Sequence, residues 1–259
     1  MIDVQLVVVN YHTYGLLQKF IDSYIEFTPS CSSALMVVDV ESTDEMEKVR
    51  TYDAEVVREY SNIGYARACN WAGYLTTGRS RNLAFFNADT AFNNPYCIDE
   101  CVEYLDLHDD IGIVGPLQYS TNGKVTSGGV FGTFDNPKDR NFHSQNIDAC
   151  RNDERAVYVS GSAFFTKRAL WDSLSECPPF RETYPRAIGG FPTVPHFHEE
   201  SSYCYHAHQH GYDTVFKGTS EMIHLWHQSS LPGSQGEKER IGRESFLQFR
   251  SRHDQWMGV

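Results

Sequence analysis

The tripeptide Asn87-Ala88-Asp89 follows an apolar run, residues 83–86, and closes it on a carboxylate. A carboxylate at the end of a buried strand can ligate Mg or Mn, hard cations that take oxygen ligands and bridge a diphosphate. It can equally cap the turn that follows. Asp39 ends a second apolar run, residues 35–38, with Ser42 and Asp44 just beyond it. Such a carboxylate accepts a hydrogen bond from a base N–H or a ribose hydroxyl, while Ser42 or Thr43 can serve as a helix N-cap. Glu199 and Glu200 are adjacent. A pair of neighbouring carboxylates offers a general base whose partner raises its pKa, and at a helix start it also complements the dipole.

Two further groupings bear on chemistry. Residues 62–70 (NIGYARACN) open a helix with small side chains; Gly64 allows close backbone approach, and Asn70 shares a face with Ala66. The stretch lacks the repeated glycines of a dinucleotide loop, which disfavours a Rossmann dehydrogenase. His196, His198, His206, His208 and His210 crowd one region, followed by His224 and His227. His206 and His210 share a helical face, an arrangement open to zinc, but no H-E-x-x-H pattern is present.

The elements that must position these residues alternate strand and helix. Residues 4–9 (VQLVVV) form a continuous apolar run, as a strand buried on both faces of a parallel sheet requires. Leu16, Leu17, Phe20, Ile21 and Tyr24 recur at helical spacing. Strands are predicted at 35–38, 55–57, 83–86 and 111–114, with helices at 65–75 and from Pro95 to Leu107. That rhythm predicts a doubly wound sheet with right-handed crossovers, whose ligands bind outside the carboxyl ends of the strands. Asn10, Asp39 and Asp89 fall at those ends. Downstream, the pattern predicts turns and a loop around Gly128, Gly129 and residues 133–155, and one long strand over 157–166. It then predicts a helix over 199–210, two short strands at 214–216 and 222–225, and a C-terminal helix from Glu237 to Trp256.

The chain has 259 residues, 41% hydrophobic and 22% charged, enough for one large α/β domain. Its formal net charge of −12 repels phosphate backbones and anionic lipid, so nucleic acid is not an expected partner. A nucleotide remains compatible, because a metal ion can offset the charge locally. The 7 cysteines form no CxxC pair and read as reduced thiols. The first apolar run is too short to span a membrane, and the reading is a cytoplasmic chain without stable membrane insertion.

Taken in order, seven stretches resemble the family 2 glycosyltransferases of GT-A fold, in their rhamnosyl- and galactofuranosyl-transferase-like branch. They are VVVNYH, VVDVESTD, NIGYARACN, FFNADT, VSGSAFFTKRAL, HEESSYCYHAHQHGY and IHLWHQSS, running from residue 7 to residue 230. The resemblance implies a Rossmann-like, mostly parallel α/β sheet flanked by helices, with a smaller acceptor-side sheet. It divides residues 1–236 into a nucleotide-binding half (1–115) and an acceptor and catalytic half (116–236), with a C-terminal helix over 237–259. It implies that Val9, Asn10 and Asp39 cradle base and ribose, and that Asn62, Gly64 and Asn70 line the nucleotide and sugar pocket. Asn87 and Asp89 match a D-x-D-type motif with Asp89 as ligand to Mn or Mg. His224 matches a late histidine completing metal or diphosphate binding, with Ser229 in an H-x-x-x-x-S pattern. Glu200 falls at the general-base position, beside Glu199.

The implied reaction is inverting transfer of a sugar from a UDP-, dTDP- or GDP-sugar to a glycan or protein acceptor. The family usually carries Asn where Val40 stands, and Glu-Asp with another Asp two residues on where this chain has Glu199, Glu200 and Ser202. GGFPTVPHFH also lacks the customary F-D-E. Two other readings are a sugar nucleotidyltransferase, although the usual Gly-rich loop and basic pair are missing after the first strand, and an inactive carbohydrate-binding protein on the same scaffold. The C-terminal helix carries balanced charge, suited to packing on the domain or to forming a homodimer rather than to a membrane.

Overall fold

In the computed structural model, residues 1–175, 190–191 and 198–225 are described, with residues 240, 243, 244, 246, 247 and 251 of the tail. The first half begins β1 (Ile2–Tyr11), α1 (Tyr14–Glu26), β2 (Ser33–Val40), a short 3₁₀ turn (Asp44–Lys48) and β3 (Glu55–Glu59). It continues α2 (Tyr65–Leu75), β4 (Ser80–Asn87), β5 (Thr90–Ala91), α3 (Cys97–Leu107) and β6 (Ile111–Tyr119). The second half holds β7 (Val125–Ser127), β8 (Val130–Thr133), β9 (Asn136–Asp139), β10 (Asp153–Ala156), β11 (Ala163–Lys167), α4 (Arg168–Ser175), α5 (Glu199–Gln209) and β12 (Asp213–His224).

Among the described residues the main sheet runs β10-β12-β6-β11-β4-β1-β2-β3, with β5 paired to β12 and β7 to β6. β3, β2, β1 and β4 are mutually parallel, as are β6 and β12, whereas β11 lies antiparallel between β4 and β6. A separate antiparallel pair, β8 and β9, makes the small second sheet.

Strands buried on both faces explain the unbroken apolar runs. Along β4, Leu83 and Phe85 pack on one face with Val7 and Val9, beneath Ala68 and Ala72 of α2, Trp171 of α4 and Tyr203 of α5. Ala84 and Phe86 pack on the other with Leu6 and Val8, under Leu17 and Phe20 of α1 and Cys101 of α3. Burying a side chain such as Phe85 stabilises the fold by roughly 2–3 kcal/mol relative to exposure. Trp171 is fully buried, and its indole sits where a Cβ on Gly73 or Gly190 would come within 2.7 or 2.5 Å. Only glycine leaves that slot open.

Three expectations about elements change. The strand expected over residues 157–166 is confined to Ala163–Lys167, because residues 160–162 turn to make side-chain bonds of their own. The two late strands are one, Asp213–His224, whose register slips between Lys217 and Glu221. The loop expected after Gly128 holds the β8–β9 pair and β10, an edge strand carrying the ion pair Lys217–Asp153. The C-terminal helix expectation lies largely outside the described residues. Those described include an Arg240–Glu244 ion pair and Phe246, whose ring stands 5.5 Å from His198.

Candidate active site

Parallel register lays the sequence-predicted residues along one edge of the sheet. Asn10 pairs with Asp39, which pairs with Arg58, and Val9 pairs with Asn87. The chain leaves β1 and β2 through two residues with left-handed backbone, His12 (φ 54°) and Glu41 (φ 53°). Non-glycine residues seldom adopt it, and such strain clusters at functional edges. The His12 Nε2 lies 3.2 Å from the Glu41 Oε2.

At the centre of that edge the polar groups serve one another. Asn10 Nδ2 donates to the Asp39 Oδ1 at 2.6 Å, and Ser42 Oγ donates to the Asp39 Oδ2 at 2.5 Å. Arg58 Nε in turn donates to Ser42 Oγ at 2.8 Å. Asp39 is wholly buried, so it is first the keystone joining β1, β2 and β3. Thr43, not Ser42, caps the following turn by accepting from the Glu45 amide. Val9 turns its side chain into the core. Asn62 accepts from the Gly64 amide, and Gly64 (φ 76°) starts α2 in a conformation that favours glycine. Asn70 is buried and engaged with Phe191: its amide donates to the Phe191 carbonyl and accepts from the Phe191 amide, at 2.7 and 2.9 Å. It therefore clamps α2 to the second half.

Asp89 and His224 meet through strand pairing. β5 runs antiparallel to the end of β12, with Thr90 opposite His224, and the Leu225 amide donates to the Asp89 carbonyl at 2.8 Å. This brings the His224 Nε2 to 3.5 Å from the Asp89 Oδ1, with both side chains buried. One carboxylate oxygen and one imidazole nitrogen at that spacing could hold one divalent ion between them, the carboxylate as the hard ligand that Mn or Mg favours and the imidazole as a softer one. No third His, Cys, Asp or Glu joins them among the described residues, so the other positions would fall to donor oxygens and water. The zinc arrangement open to His206 and His210 gathers no third ligand, since no group of three or more His, Cys, Asp or Glu that could hold a metal ion occurs among the described residues; the His210 Nδ1 lies 2.8 Å from the His206 carbonyl. His196, His227 and Ser229 lie outside the described residues.

The acidic pair opens α5. His198, in left-handed backbone (φ 65°), precedes the helix and its carbonyl accepts from Ser202 Oγ at 2.8 Å. Glu199 is buried, and burial together with the Glu200 charge pushes its carboxyl up to about 8. Burial pushes Glu200 up to about 7, while its own amide and that of Gly161 hold it down. A base of that pKa is half-ionised at neutral pH, the condition general-base catalysis favours.

Burial of Glu199 has a stability consequence. The folded state keeps its proton to about pH 8, whereas the ordinary value is 4.5, so its contribution is full below pH 4.5 and is lost as pH rises toward 8. Glu199→Gln is therefore expected to stabilise the fold at pH 8 by on the order of 3 kcal/mol and to leave it nearly unchanged at pH 4.5. Melting curves at the two pH values check this; equal shifts at both would count against a buried, proton-holding Glu199.

The residues that sequence reasoning missed are those around Gly161. Ser160 and Ser162 are hydrogen-bonded at 2.7 Å, and Ser162 Oγ donates to Gln118 Oε1 at 2.5 Å. The Asn87 amide donates to the Ser162 carbonyl, and Tyr65 Oη donates to the Gly161 carbonyl at 2.7 Å. The S-G-S tripeptide was visible within VSGSAFFTKRAL, but its partners come from three other elements.

A parallel β3-β2-β1-β4 half joined through an antiparallel strand to β6 and β12, with a carboxylate loop after β4, is the GT-A glycosyltransferase fold. The chain belongs to the glycosyltransferase-like family 2, whose family model matches residues 3–244. Comparison with curated proteins by sequence gave no match. Among solved structures, the mannosyltransferase PcManGT from Pyrobaculum calidifontis, in complex with GDP-Man and Mn2+, is similar at TM-score 0.64 and 15% identity, covering 98% of this chain and 64% of that one. GalNAc-T7 with UDP, GalNAc and Mn2+ is similar at 0.62 and 17%, covering 96% and 50%. S. aureus TarS 1-349 is similar at 0.57 and 16%, covering 97% and 72%. The chain thus spans about half to two thirds of the length of the first two. Among the described residues no helix is long and apolar enough to cross a membrane.

Proposed function

We propose that this chain transfers a sugar, with inversion, from a nucleoside-diphosphate sugar to an acceptor hydroxyl, and that it does so with a divalent metal. The observation that carries the reading is the buried Asp89–His224 pair at the edge of the sheet, in a chain that also presents Glu200 at the start of α5. Glu200 takes the proton from the acceptor hydroxyl as its oxygen attacks the anomeric carbon. The bond from that carbon to the diphosphate oxygen breaks on the opposite face, and its electron pair leaves with the diphosphate. Asp89 and His224 would hold Mn or Mg, which neutralises charge on the leaving group when bound. The Leu225 amide and the β5–β12 pairing keep the two ligand side chains at fixed spacing, and preorganisation of that kind avoids reorganisation during reaction.

Complexes of two similar folds with GDP-Man or UDP and with Mn2+ support a nucleotide-sugar donor and that metal. The donor is of the UDP, dTDP or GDP type, and the acceptor is a glycan or a protein. Family membership argues against a sugar nucleotidyltransferase.

A thermal-shift screen of nucleotide sugars with and without Mn identifies the donor. At a hundred times its Kd a ligand stabilises the native state by about 2.7 kcal/mol, so one donor series should raise the melting temperature by several degrees, and only with metal. Slow release of free sugar from that donor, without acceptor, is the expected second result. A donor-dependent shift with no hydrolysis and no transfer to any acceptor would favour an inactive binding protein instead.

A further inference from the structure

Gly161 stands where three parts of the molecule meet. Ser162, its neighbour, accepts through its carbonyl from the Asn87 amide at 3.1 Å, two residues before Asp89. The Gly161 carbonyl accepts from Tyr65 Oη at 2.7 Å, and Tyr65 is the first residue of α2. The Gly161 amide faces Glu200, and a Cβ on Gly161 would stand 3.5 Å from both the Glu200 Cδ and Oε2. Glycine here leaves the carboxylate against bare backbone.

Tyr65 is well placed to hold that backbone rigid. Its ring stacks 6.4 Å from Phe191, the residue that Asn70, one and a half turns further along α2, grips through both of its backbone groups. Helix α2 is thus attached to the second half through Phe191 and through the Gly161 carbonyl near its start, and through Arg168, which donates to the Gly73 carbonyl at 2.6 Å, near its end. A phenol O–H that donates to one peptide group restrains the rotation of its neighbours, and the Gly161 amide belongs to the peptide group immediately before the one whose carbonyl Tyr65 holds.

We propose that Tyr65 is a positioning residue for the general base: its hydroxyl fixes the Gly161 carbonyl and, through the Gly161 Cα, the preceding peptide group, whose amide orients the Glu200 carboxylate. The inference rests on the reading of Glu200 as base. It links α2, whose Gly64 start borders the nucleotide edge, to the group that activates the acceptor. Among the described residues the titratable groups facing Glu200 are Glu199 on α5, Tyr158 before the Gly161 turn, Cys204 one turn along α5, and Tyr65 itself. Of these, Tyr65 alone is hydrogen-bonded to Gly161.

Tyr65→Phe removes one oxygen and keeps the ring. With the full-length chain and its donor, kcat is expected to fall about tenfold, with donor KM changed by less than about twofold. The Gly161 amide holds the Glu200 carboxyl down, so the inflection in the kcat–pH profile should move to higher pH. In a Glu200→Gln background, Tyr65→Phe should have no further effect on the residual rate, because the two act as one unit. A kcat–pH profile superimposable on that of the parent, or additive losses in the double variant, overturns the proposal. If Glu200→Gln alone keeps normal turnover, it is the base assignment that fails.

Gly161→Ala provides a second route if Tyr65→Phe does not fold. Its new methyl would touch the carboxylate, so kcat should fall with donor KM kept. An unchanged kcat there overturns the proposal as well.

Discussion

Glu200→Gln is expected to lower kcat by about 10²- to 10⁴-fold, the range one well-placed base supplies, while donor affinity stays within about twofold. The substitution preserves size and removes only the capacity to take a proton. The carboxylate lies against Gly161, whose neighbour Ser162 accepts from the Asn87 amide by a backbone hydrogen bond that the substitution leaves in place, so binding of the nucleotide should be nearly untouched. The same assignment fixes a pH dependence. Burial pushes the Glu200 carboxyl up to about 7, and a base works when deprotonated, so kcat should rise with pH and reach half its plateau near pH 7. Glu199 loses its own proton only near pH 8, and its new charge then raises the proton affinity of Glu200 further, which broadens the upper limb. Turnover and donor binding measured on one preparation decide the matter: a variant with near-parental kcat removes Glu200 from the role.

Asp89→Asn is expected to cost roughly 10²–10³ in kcat, as loss of one preorganised electrostatic group at a developing charge does. It should also remove the metal dependence itself. Asparagine keeps the shape and leaves the backbone carbonyl that accepts from the Leu225 amide, so the apoprotein should melt at or above the parental temperature. The diagnostic reading is the metal-linked one: Mn²⁺ with nucleoside diphosphate should raise the melting temperature of the parent and not of Asp89→Asn. His224→Ala should weaken the same response less, since Asp89 remains as a ligand. Removal of metal from the parent by EDTA should reproduce the Asp89→Asn phenotype, and full turnover in EDTA would contradict the assignment of Asp89 and His224.

How far the sequence reached depended on whether an interaction was local. The parallel half was legible because strands buried on both faces must be apolar throughout, as residues 4–9 and 83–86 are, and because helices α1 and α2 bury one face at regular spacing. The carboxyl-edge positions of Asn10, Asp39 and Asp89 followed from where those runs stop. The antiparallel β11 between β4 and β6 was not legible, since its short apolar run is compatible with either direction. The extent of β12 was hidden by Lys217, Gly218 and Thr219, which interrupt its pattern where the register slips.

For the site, residue types alone determined which chemistry was available, carboxylates at strand ends and an acidic pair at a helix start, while the late histidine entered through the family resemblance. Tertiary structure decided which of them work together. Asp89 could have capped a turn, and only the antiparallel contact of β5 with β12 sets its carboxylate 3.5 Å from His224. Asn70 sat on the expected helical face, yet its amide is taken by Phe191, a partner no local pattern specifies. Burial, a property of the packed whole, raises the carboxyls of Glu199 and Glu200; in the sequence they are two ordinary acids at the dipole-favoured end of a helix. Side-chain identity fixes what a group can do, while its pKa, its partner and its distance to a neighbour arise from segments far apart in the chain closing on one another.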